Sequence, residues 1–201
     1  MGLQQDPRLT AADTAIVLLG AQTARMGRLP EEVDTEVRRC IAELLGFARI
    51  AGISVLATEE DRDAAGPMDP SVAEALERLG ALAHRVTLVA PDATVDDDFD
   101  AHLEHLASRG MDEGVVRNLL VAGFDAHVAV VQTVRSLTTA GFHVHVPLDA
   151  IGAATAAQRD AARHLLARTG ATLTSTETAL FELAGPAGTD RHGGLMILLG
   201  R

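Results

Sequence analysis

The stretch Gly123-Phe124-Asp125-Ala126-His127-Val128-Ala129-Val130-Val131-Gln132-Thr133 decides how this chain folds. Ahead of it, Asn118-Leu119-Leu120-Val121-Ala122-Gly123 is a near-continuous apolar run, the pattern of a strand buried on both faces. Behind it, residues from His127 to Ala140 follow a helical period. A buried strand that turns directly into a helix is one half of a parallel strand–helix–strand unit.

The same alternation extends in both directions. The spacing predicts strands at Ala15–Leu19, Ile53–Thr58, Val86–Ala90, Leu119–Gly123, His143–Pro147 and Ala171–Thr174. Between them it predicts helices at Glu31–Ala51, Pro70–Leu79, Asp97–Arg109, His127–Ala140, Ala156–Thr169 and Glu177–Leu183. Glycines 52, 80, 110, 141 and 170 stand where helices should stop, and Thr174-Ser175-Thr176-Glu177 reads as a capping box. The expected fold class is α/β, a three-layer α/β/α sandwich on a mostly parallel, roughly six-stranded, Rossmann-like sheet. A single domain over residues 1–201 is expected, with 1–12 and the glycine-rich 185–194 as mobile segments.

Composition narrows the function. With 47% apolar residues, 2% aromatic residues and a formal charge of −11, the chain lacks both the stacking platforms and the basic balance of a nucleic-acid binder. Its apolar runs are about strand length, too short to span a membrane, and the start shows no leader pattern, so a cytoplasmic location is expected. One cysteine, Cys40, excludes an intrachain disulfide and sits on the apolar face of the first long helix, where a buried structural role is expected.

The turn at 123–133 resembles that of the isochorismatase-like cysteine hydrolases, which reads roughly Gly-Val-Glu-Ala-His-Val-Cys-Val-Leu-Gln-Thr. Residues 140–150, Ala-Gly-Phe-His-Val-His-Val-Pro-Leu-Asp-Ala, and 172–183, Thr-Leu-Thr-Ser-Thr-Glu-Thr-Ala-Leu-Phe-Glu-Leu, are similar to the family's corresponding segments. The resemblance implies a pocket at the carboxyl ends of the strands, oligomers such as a homodimer, and a catalytic cysteine, aspartate and lysine. Here Ala129 stands at the cysteine's place and Gly20 at the aspartate's, followed by the family's Gln22. Asp92, after Pro91, falls at the lysine's place, and the chain has no lysine, all 17 basic residues being arginine.

The expected consequence is a protein without cysteine-hydrolase chemistry that binds a small molecule or a partner subunit. Two alternatives stand beside it. The first is acid–base chemistry of another class (isomerisation, dehydration or cyclisation) by Glu60, Asp92, Asp125 or His127. The second is a structural protein whose pocket has collapsed. The N–H groups of Val128, Ala129 and Val130 are expected to form a small positive site. His127 reads as architecture more readily than as an acid–base group; Asp125 reads equally as a ligand for a cation and as a helix N-terminal acceptor. The metal-binding Asp-x-His-x-His of the family's nicotinamidases is replaced by Thr58-Glu59-Glu60-Asp61-Arg62-Asp63, so neither metal nor cofactor is expected.

Overall fold

The computed structural model describes residues 8–107 and 115–201. In chain order the elements are β1 (Thr14–Leu19), α1 (Thr23–Met26), α2 (Glu31–Ala51), β2 (Val55–Glu59), α3 (Arg62–Ala65), α4 (Pro70–Leu79), β3 (Ala83–Thr87) and α5 (Asp97–Ala107). There follow β4 (Asn118–Phe124), α6 (Val131–Thr139), β5 (His143–Pro147), β6 (Ile151–Gly152), α7 (Ala156–Leu166), β7 (Thr172–Thr174), α8 (Thr176–Ala184) and α9 (Asp190–Leu198).

The strands lie in the order β3-β2-β1-β4-β5-β7, with β6 also on β4, and every strand pairing is parallel. Alternation along the strands assigns the layers. Ile16, Leu18, Leu120 and Ala122 join the core under α2, α4, α8 and α9. Ala15, Val17, Leu19, Leu119 and Val121 join the core under α5, α6 and α7. The three-layer α/β/α architecture is therefore as expected, with β6 as a seventh short strand. The chain runs outward from β1 to β3 and returns at β4, so the carboxyl ends of β1 and β4 flank the crevice where such sheets bind ligands.

Several boundaries differ from the sequence reading. The third strand is Ala83–Thr87 rather than Val86–Ala90. β2 ends at Glu59, paired with Thr87; the Leu88 N–H still donates to the Glu59 carbonyl at 2.7 Å, but the chain then leaves the ladder and Val89 is 86% exposed. The expected helix from His127 begins instead as a π turn over Ala126–Val130. The capping box falls one residue from its expected place: Ser175 caps α8 by accepting from the Thr178 N–H, while Glu177 pairs with Arg201. A complete box caps α7, formed by Thr155 and Gln158. Half of the glycine-rich 185–194 segment belongs to α9. The expected stop at Gly110 and the end of the third helix at Arg109 lie outside the described residues.

Candidate functional site

The site is built where β1 and β4 end. Leu19 and Gly123 are partners in the ladder, and a Cβ at Gly123 would stand 2.0 Å from the Leu19 carbonyl oxygen. Only glycine allows this approach, and its φ of +123° suits glycine alone. The next residues on the two strands, Gly20 and Phe124, are thereby brought side by side. Gly20 has φ +54°, its N–H donates to both the carbonyl and the hydroxyl of Thr58 at 3.2 Å, and the chain turns there into α1.

Gln22, wholly buried, fixes the next layer of the site. Its Nε2 donates to the carbonyls of Glu60 at 3.1 Å and Gly66 at 2.7 Å, and its Oε1 accepts from the Glu60 N–H at 2.8 Å. Every polar atom of the amide is engaged, so Gln22 acts by positioning the β2–α3 turn. That turn presents the Glu60 carboxylate to Arg25 of α1.

Arg25 is the site residue that sequence reasoning missed. One terminal nitrogen of its guanidinium pairs with Glu60, and the other donates to Asp125 Oδ2 at 2.5 Å. All three side chains are largely buried, at 17–23% exposure. In such surroundings a guanidinium held between two carboxylates is a stronger contact than a surface pair. The available signal was compositional: with no lysine, an arginine three residues past Gln22 is the nearest cation to the end of β1.

The remaining carboxylates of the β2–α3 turn are engaged locally. Glu59 pairs with Arg62, and Asp61 accepts from the Asp63 N–H. Among the described residues no group of three or more His, Cys, Asp or Glu side chains has metal-holding geometry. Asp92 is directed elsewhere. Its Oδ1 accepts from the N–H and hydroxyl of Thr94, and its Oδ2 from Ser136 at 2.6 Å. Ser136 lies seven residues beyond Ala129, about 10 Å along the helix. The structure thus brings Gln22, Glu60 and Asp125 together around Arg25 and ties Asp92 to the flank of α6.

The π turn carries His127, Val128 and Ala129. The N–H groups of Val128 and Val130 both donate to the Asp125 carbonyl, at 3.1 and 3.3 Å. The expected trio of free N–H donors is therefore corrected: the turn curls back on its own first carbonyl and uses two of them. Ala129 is 3% exposed and offers only a methyl group. His127 is half-buried; its Nδ1 and the Nε of Arg25 are buried and meet no hydrogen-bond partner among the described residues. Asp149 has a structural part, accepting from the N–H and hydroxyl of Thr176 at 2.8 Å.

Cys40 lies away from these groups, wholly buried in the core beneath α2. Burial, with help from the nearby Asp149 and Glu43 carboxylates, pushes its thiol up to about 11 against the opposing pull of Thr176 and Arg39. It is a neutral thiol near neutral pH and no substitute nucleophile.

Comparison with known proteins finds a family model that matches most of the chain. The family model described as the isochorismatase domain covers residues 14–178. The secreted isochorismatase effector Isc1 of Phytophthora sojae is 39% identical over 72 residues, 36% of this chain and 34% of that protein. The match thus spans about a third of that curated relative's length. Among solved structures, the MAR1 ribonuclease of Caenorhabditis elegans superposes with a TM-score of 0.83 at 22% identity, over 97% of this chain and 93% of that one. The YcaC gene product of Escherichia coli, an octameric hydrolase of unknown specificity, gives 0.80 at 20% identity, over 96% and 89%. At these identities the structural likeness establishes the fold.

Proposed function

Because the chain belongs to the isochorismatase family, we propose that it uses the family scaffold for reversible binding of a small polar molecule and not for covalent hydrolysis. The observation that supports this is Arg25, salt-bridged to Glu60 and Asp125 over Gly20, in a site where the nucleophile's position is the methyl group of Ala129. A thiolate, its activating cation and a proton-accepting carboxylate act as a unit, and losing the nucleophile alone costs several orders of magnitude in rate. Glu60 and Asp125 are each held in an ion pair with Arg25, and Ala129 offers only a methyl group, so the thiolate's role has no like-for-like holder in this reading.

What the site retains is polar recognition. Two carboxylates and one guanidinium leave it one negative charge in excess, and the buried Nδ1 of His127 is a polar atom able to meet a ligand. A cationic or neutral polar ligand suits this balance better than an anion.

Benzamidine, benzamide and benzoate, one shape in three charge states, test the reading by NMR titration. Benzamidine and benzamide are expected to bind more tightly than benzoate, to lose affinity in Asp125→Asn, and to be recovered unchanged. Conversion of benzamide to benzoate at an enzyme's rate, or binding that ignores Asp125→Asn, would refute the proposal.

A further inference from the structure

The helical layer formed by α5, α6 and α7 carries opposite charges on its two flanks, and we propose that it is the contact face for a second copy of this chain, related by a two-fold axis near α6. α5 joins β3, one edge strand, to β4; α7 leads into β7, the other edge strand. The two helices therefore occupy opposite flanks of one layer, with α6 between them, as their shared apolar core requires.

The flank at α5 is acidic. Asp97, Asp98, Asp100 and Glu104 are exposed there, and no arginine lies on the helix. The flank at α7 is basic: Arg163 and Arg168 are exposed and Arg135 projects from the neighbouring α6, opposed by Asp160 alone. Among the described residues none of these arginines or α5 acids forms a salt bridge within the chain, although other arginines, such as Arg38, Arg39 and Arg78, do. In a chain of net charge −11, a basic flank left unpaired beside an acidic one is a self-complementary arrangement. A two-fold rotation sets α5 of each copy against α7 of the other, satisfying both flanks at once and closing the assembly.

Exposed apolar residues accompany the charges. Of the five large hydrophobic side chains exposed among the described residues, Val89 and Val95 lie on the segment leading into α5 and Leu165 lies on α7. Charged flanks with apolar residues among them match the anatomy of a protein–protein contact, in which charge sets orientation and rate and apolar burial supplies affinity.

The test uses two charge-reversed full-length proteins, Arg163→Glu/Arg168→Glu and Asp98→Arg/Asp100→Arg, examined by sedimentation velocity. The wild type is expected to dimerise at low salt and to weaken by about tenfold or more when salt shortens the Debye length. Each reversed protein places like charges across the axis and is expected to be monomeric. An equimolar mixture restores opposite charges on both flanks and is expected to reform the dimer, an outcome that a misfolded variant cannot give. A monomeric wild type at about 100 μM in low salt, reversed proteins that keep the wild-type mass, or a mixture that stays monomeric overturns the proposal. Its failure leaves the ligand-binding reading untouched, since none of these residues belongs to that site.

Discussion

The Arg25 side chain crosses the face of Gly20: a Cβ at position 20 would stand 3.5 Å from Arg25 Cδ, 3.7 Å from its Nε and 3.0 Å from the Phe124 carbonyl oxygen. The Arg25 side chain and the Phe124 carbonyl therefore line the space that a side chain at position 20 would enter. A residue with a Cβ at 20 would also have to adopt φ +54°, a conformation disfavoured by roughly 1–2 kcal/mol. Gly20→Ala is accordingly expected to lose about 1–3 kcal/mol in urea unfolding and to disturb the Arg25 resonances. A neutral effect on both would show that Arg25 does not depend on the space over Gly20.

Removing the guanidinium leaves Glu60 and Asp125 without their shared cation in a largely buried site. Arg25→Ala should cost about 1–3 kcal/mol. Adding Glu60→Gln to Arg25→Ala should recover part of that loss by relieving the uncompensated charge, a coupling read from a double-mutant cycle. Strict additivity of the two substitutions would contradict the pairing.

Gln22 holds three backbone groups of the Glu60 and Gly66 turn while wholly buried. Gln22→Ala leaves those groups unpaired and is expected to cost about 2–4 kcal/mol. Because it also frees the Glu60 carboxylate from its place, benzamidine affinity should fall in the same variant. Unchanged amide exchange at Glu60 would argue against the role.

The Cys40 thiol gives an alkaline signature. Its folded-state pKa of about 11 exceeds that of an unfolded cysteine. Its contribution is thus fully present below the unfolded value and is lost as pH rises through the folded one. Wild-type stability is expected to drop by up to about 2–3 kcal/mol more than that of Cys40→Ala over that window. Iodoacetamide should label the native thiol slowly at pH near 8 for the same reason. Parallel pH profiles for the two proteins would count against a buried neutral thiol.

The sheet was legible because its central strands are apolar on both faces and their helices have strong periods. β3 was misplaced because an edge strand needs only one buried face. Its alternating Ala83-His84-Arg85-Val86-Thr87 is a weaker signal than the apolar run that follows it. The site was legible in part. Gly20, Gln22, Glu60 and Asp125 could be named from local sequence, since each follows a strand end. Arg25 carried only a compositional signal, because its place is set by contacts with residues 35 and 100 positions away. The direction of Asp92 was likewise hidden, being fixed by Ser136 on another element. Charge segregation between α5 and α7 was present in the sequence but meaningful only once both helices were known to share a layer.

The central claim is that the site binds without breaking a bond, and steady-state turnover tests it directly. Wild-type protein and the Arg25→Ala variant should show the same background rate on a panel of amides, imides and vinyl ethers. They should also retain unmodified masses after incubation with each substrate. Saturable turnover by the wild type that Arg25→Ala or Asp125→Asn abolishes, or a mass increase matching a trapped acyl group, would contradict the account.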